Sequence, residues 1–163
     1  MGISIPGLDH FTDETLFTMC NQMILPAWII MILAPKWKMR GTIVWTTVLF
    51  NSLAYALVFG SALAASKDGV GTIYADMGTY KGVVDLLGRA QFALPAWIHY
   101  LAFDMVVGNL LLEKNLVDPA GLHHLLMAPV LVLVLMAGPM GVLSYFLASK
   151  ISHLICPVSN KME

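Results

Sequence analysis

At 163 residues the chain has the length of one domain, and 58% hydrophobic against 12% charged residues lies far from water-soluble usage. A soluble surface built from that composition would carry large apolar patches, so a lipid bilayer is its natural solvent. The formal net charge of −1 leaves no electrostatic footprint for nucleic acid, and no Walker loop, GxSxG elbow or zinc-type cysteine cluster occurs.

Met1-Gly2-Ile3-Ser4, followed by Asp9, Asp13 and Glu14, does not read as a signal or transit peptide, so targeting is internal or the numbering begins at a processed end. Four apolar segments follow, each near the ~20 residues that cross hydrocarbon. The first covers about 14–35, with Thr12 or Asp13 as its N-cap, and Lys36, Lys38 and Arg40 end it. The second covers about 42–65. A polar connection, 66–90, contains TYKGVVDLLGRAQF, whose mixture of valines, leucines and charges predicts a short interfacial helix or a plain loop extending the next span. The third span covers about 91–112 and stops at Glu113-Lys114-Asn115; the fourth follows Asp118-Pro119 and covers about 122–150. Lipid offers no partners to bare backbone groups, and the runs are continuous rather than alternating, so the fold class is all-α: a single membrane domain with four transmembrane helices. Dense basic residues in the two short connections place those connections on the cytoplasmic, stromal or matrix side, with both termini and the long connection opposite. Cys20 and Cys156 then share one side, which leaves a bridge open, but two cysteines carry no framework and two free thiols is the reading taken.

The frame QxxLPAWI occurs twice, at Gln22 and at Gln91, 69 residues apart. Proline lacks an N–H and crowds the carbonyl one turn earlier, so Pro26 and Pro95 should bend their spans. A duplicated hairpin and convergent kink chemistry both account for the repeat. The fourth span carries AGPMGVLSYF, where Pro139 should free the carbonyl of Leu135. Gly138, Gly141 and Tyr145 fall on one helical face, as close packing or a groove for a flat apolar ligand would need.

An acid within a span is expensive, so Asp104 should turn inward on a stripe with Trp97, Leu101 and Gly108. His99 lies about 140° round an ideal helix and about 7.5 Å along it. A direct pair is therefore poor, but both groups can converge on a ligand. Hydrocarbon favours uncharged forms, which makes the two a general acid and a general base. The structural alternative ties Asp104 to Asn21, Asn51, Tyr55 or Asn109. His123 and His124 open the fourth span and form no complete metal set, and a haem would want facing histidines at depth where only His99 lies.

PAWIHYLAFDMVVGN, then HHLLMAP, then AGPMGVLSYFL, resembles the neoxanthin-synthase-like family of four-span membrane proteins, the abscisic-acid-deficient type-four proteins. LFTMCNQMILPAWIIMILAPKWK is similar to that family's opening span, and the resemblance covers residues 16–147. Two positions depart from the usual pattern: Ala96 stands where glycine is common, and Asn109 where arginine is common.

The resemblance implies isomerisation of a xanthophyll 5,6-epoxide to an allenic alcohol in a plastid envelope or thylakoid membrane. That reaction is redox-neutral and calls for no metal, flavin or nicotinamide cofactor. Asp104 would protonate the epoxide oxygen and His99 remove the neighbouring proton. Trp28, Trp97 and Tyr100 would stack along the end ring, and Asn21, Gln22, Gln91 and Asn109 would place its hydroxyl. Gly108, Gly138, Tyr145 and His124 complete the expected contacts. Two other classes stay open: a pigment-binding subunit, alone, as a second copy or in a pigment–protein assembly, and a small-solute carrier built on the repeated hairpin.

Overall fold

The computed structural model describes residues 12–66 and 69–155. They form six helices and no strand: α1 (Asp13–Leu33), α2 (Arg40–Ala65), α3 (Gly69–Asp76), α4 (Tyr80–Leu87), α5 (Ala90–Val117) and α6 (His124–Ile155). α1, α2, α5 and, taken end to end, α6 are long and apolar enough to cross a membrane. The chain is an all-helical integral membrane protein. Thr12 is the cap of α1, its Oγ1 accepting the Thr15 N–H at 3.2 Å, and Asp13 and Glu14 lie in the first turn, where the helix dipole favours them. Pro26 and Pro95 lie inside α1 and α5.

One compact unit comprises Met1–Met23 with Leu49–Ala102. Its core gathers Ala62, Ile73, Leu86 and Phe92, with Phe59 and Leu63 against them. Phe59 stacks on Tyr55 at 5.4 Å and meets Phe92 edge-on at 6.3 Å. The long connection holds two short helices rather than the one expected. α4 is the anticipated one, capped by Thr79, whose hydroxyl accepts the Gly82 N–H at 3.1 Å. α3 is the addition. Its two glycines are poor helix formers, but Ile73 is fully buried, and that anchorage outweighs poor propensity in so short a helix. Gly69, which opens α3, has φ 73°, a conformation that glycine adopts at no steric cost.

The other unit comprises Ile24–Val48 with Phe103–Glu163. Here α5 runs past its expected stop because Asn115 faces inward. Its Nδ2 donates to Leu122 O at 2.9 Å, and its Oδ1 accepts the Leu122 N–H at 2.7 Å. This clamp closes the 116–121 turn and delays α6 until His124. Inside the turn the Ala120 N–H reaches Asp118 Oδ1 at 2.9 Å, and a Cβ on Gly121 would collide with the Asn115 carbonyl.

α6 is the main departure from expectation. The backbone leaves helical geometry at Ala137 (φ −156°, ψ 66°), and past that residue the chain reverses. Ser152 Oγ donates to Ala120 O at 2.9 Å, and His153 Nε2 lies 2.8 Å from Asp118 Oδ2. In a straight helix Ser152 would stand about 42 Å from His124, so those contacts require α6 to fold back on itself. Val134 confirms the reversal, since a Cβ on Gly141 would lie 2.6 Å from its Cα. The fourth expected span is thus a helical hairpin with arms 124–136 and 138–155. The first arm, about 20 Å long, is shorter than the ~30 Å hydrocarbon core. Proline therefore does something other than kink a span. Pro139 occupies the first turn of the second arm, where its missing N–H costs nothing. The second arm returns to the 118–123 connection, so Lys150 approaches the end that carries Lys36, Lys38, Arg40 and Lys114. This corrects the expectation that the C-terminal end lies opposite. Cys20 is buried, and the expected Cys20–Cys156 relation falls on Cys156, outside the described residues.

Candidate functional site

In the second unit, α5 sets Asp104 against the start of the hairpin's second arm. Gly138 is buried there, and the carboxyl takes the place a side chain would fill: a Cβ on Gly138 would collide with Asp104 Oδ1 and lie 3.2 Å from Cγ. Asp104 is half-buried and makes no hydrogen bond or ion pair among the described residues. The first amides of a helix lack intrahelical acceptors, and the positive end of the dipole lies with them. An acid beside a helix start inside a span is thus held by geometry rather than consumed by partners.

Asn109, expected to tie down Asp104 or place the ring hydroxyl, and Trp28, expected to stack along the end ring, are engaged elsewhere. Asn109 is fully buried; its Oδ1 receives the Arg40 guanidinium and its Nδ2 donates to Glu113 Oε1 at 3.0 Å. Arg40 also lies 3.7 Å from Glu113, so α2 brings a guanidinium to the position where an arginine is common. Trp28 is 1% exposed and its ring fills the space over Gly108, where a Cβ would sit 2.7 Å from Cη2. It offers no free face to a ligand, and its buried Nε1 has no acceptor among the described residues. Gly138, Gly141 and Tyr145 are buried along the second arm, at the spacing of one helical face, and Met127, Leu131 and Val134 are buried along the first.

The first unit holds the remaining expected contacts. His99 is exposed on α5, its ring 5.6 Å from Tyr55 and 6.1 Å from Tyr100. Trp97 was expected to turn inward and instead is 44% exposed. A wide indole satisfied at one end does not need full burial: its Nε1 reaches Asn21 Oδ1 at 3.4 Å and its ring tilts against Phe17 at 6.0 Å. Asn21 Nδ2 donates to Phe17 O at 2.7 Å. Gln22 is exposed and Gln91 half-buried, and Tyr100 points outward.

Residues of the second unit also enclose a cavity of about 290 Å³ that sequence reasoning missed. Met31, Leu112, Met127 and Leu131 floor it, and Lys36, Asp118, His123 and His124 rim it. Asn115 and Leu122 had supplied a signal, an asparagine among leucines before an Asp-Pro turn, but it read as a helix stop. Within the turn, beyond the ends of the spans, Asp118 is held below the ordinary carboxylate range by the Ala120 N–H first and by His153 second.

No curated protein and no solved structure matches the chain. The family described as ABA DEFICIENT 4-like matches residues 15–145, which takes in α1 from Thr15, the whole of α2, both short helices, the whole of α5 and the hairpin through Tyr145. That match suggests a carotenoid-related role, and with most of the chain covered, the protein belongs to the ABA DEFICIENT 4-like family.

Proposed function

We propose that the protein isomerises an epoxidised xanthophyll, opening a 5,6-epoxide to an allenic alcohol, in a plastid envelope or thylakoid membrane. The observation that carries this reading is the placement of Asp104: an acid within a span, against a side-chain-free helix start, with no partner of its own among the described residues. Family membership supplies the substrate class.

In the proposed step Asp104 gives its proton to the epoxide oxygen as the bond from that oxygen to the polyene-bearing ring carbon breaks. The adjacent vinylic carbon loses its proton to His99, and that electron pair becomes the second double bond of the allene. One proton enters and one leaves, so the product is an isomer and no electron carrier takes part. The helix start beside Gly138 stabilises the carboxylate that proton delivery leaves behind. His99 is assigned as base from its place five residues before Asp104 on α5.

The test is expression in a host that accumulates epoxidised xanthophyll, with pigment analysis of the wild type, Asp104→Asn and His99→Ala. The wild type should yield the allenic isomer. Each variant should lose about a hundredfold or more in rate, the usual worth of positioned acid or base catalysis. Undiminished conversion in both would end the assignment of roles, and no conversion by the wild type would end the reaction.

A second reading draws on the outward aromatic side chains of the first unit, Phe17, Trp97 and Tyr100, which present surfaces on which a pigment could lie. In that reading the protein holds a carotenoid without turnover. One unaltered pigment at fixed stoichiometry after purification would favour it.

A further inference from the structure

We infer that the cavity of the second unit is a binding site for an anionic amphiphile, with the head at Lys36 and His123 and the tail on the leucine and methionine floor. This inference does not depend on the proposed reaction. The lining divides by chemistry. Met31, Leu112, Met127 and Leu131 are each no more than 2% exposed, whereas Lys36 and His123 stand at an open rim. At the end of α1 and the start of α6 this rim falls where a head group meets acyl chains.

Besides His124, whose ring can donate or accept, the polar groups left for a ligand are donors. Both ends of the Asn115 amide hold Leu122, and both Asp118 oxygens are taken, one by the Ala120 N–H and one by His153. His123 Nδ1 accepts the Leu125 N–H at 3.4 Å, which leaves Nε2 as the N–H of the neutral ring. Lys36 makes no ion pair among the described residues. Engaged acceptors and available donors select a negative head. At about 290 Å³ the space sits at the small end of ligand pockets, too small to enclose a long pigment but adequate for a head group and the first part of a chain.

The experiment uses the full chain purified in a neutral maltoside detergent, with hexadecyl phosphate as probe and thermal unfolding and calorimetric titration as readouts. Hexadecanol supplies the tail without the charge, and inorganic phosphate the charge without the tail. Hexadecyl phosphate should raise the unfolding midpoint saturably, while hexadecanol and inorganic phosphate should not. Lys36→Gln should weaken its binding about two- to fivefold, the worth of one exposed charge pair. Leu131→Trp should fill the floor and abolish binding; should that variant not fold, Lys36→Gln on the exposed rim decides alone. An equal response to hexadecanol, an equal response to inorganic phosphate, or unchanged affinity in Lys36→Gln each overturns the assignment.

Discussion

The shared frame meets opposite environments in the two QxxLPAWI copies. Trp28 is 1% exposed and Ile29 55%, whereas Trp97 is 44% exposed and Ile98 fully buried. Pro26 faces out while Pro95 is buried. Equivalent positions therefore do not share roles, which speaks for convergent chemistry more than for a duplicated hairpin. What distinguishes Trp28 is not in its own motif but at Gly108, on a different helix. A methyl group on that glycine would press on a ring with no room to retreat. Gly108→Ala should accordingly destabilise the protein by about 1–3 kcal/mol, the usual cost of overpacking. Thermal unfolding in detergent measures this, and an unchanged midpoint would show that the indole can yield.

At the scale of elements, composition announced the long helices, and capping chemistry offered Thr12 or Asp13 for the first of them, where Thr12 is the cap. The hairpin was not legible, because a glycine-proline pair inside an apolar run marks either a kinked helix or the beginning of a new one. Contacts far along the chain decide between them: Ser152 on Ala120 and His153 on Asp118. Ala120→Cys with Ser152→Cys, in a background with Cys20 and Cys156 changed to serine, should form a disulfide on mild oxidation. A straight α6 would hold Ser152 about 42 Å from His124, four residues past Ala120, and so far beyond the reach of a bridge. Failure to cross-link would therefore restore the single span. The same ends make an acid-sensitive link. Because Asp118 is held below its ordinary range in the folded chain, its contribution is complete above the ordinary aspartate value and is lost as pH falls below about 4 through the folded value. Asp118→Asn should lose that acid limb, so wild type and variant midpoints should converge between pH 6 and about 3. A gap that widens with acid would reverse the sign.

For the molecule as a whole, the sequence predicted the solvent correctly because hydropathy survives any arrangement of helices. Leu33, Leu49, Leu125 and Met136, each at least 68% exposed, need acyl chains around them. Side assignment fared differently, since counting crossings assumes that each long apolar run crosses once. With the hairpin, Lys150 belongs with Lys36 and Lys114, which deepens the positive bias at that end. Single cysteines at Lys36 and Lys150, again without Cys20 and Cys156, should react with an impermeant maleimide from the same face of sealed vesicles. Labelling from opposite faces would overturn the reversal. Of the candidate site, the acid was readable as a rare residue in lipid-like surroundings and the glycine by its spacing with Gly141 and Tyr145, but their meeting was not, because it depends on a turn that periodicity cannot register.

The reversal at Ala137 leaves its tip clad in sulfur: Met136 and Met140 are 76% and 61% exposed, while Met31, Met105 and Met127 are buried. Peroxide or singlet oxygen dissolved among the lipids would reach those two thioethers first, and each sulfoxide formed would set a strong dipole where nothing nearby can solvate it. A membrane rich in light-driven oxidants would wear this protein at its apex, close to the glycine that seats Asp104, before touching its interior.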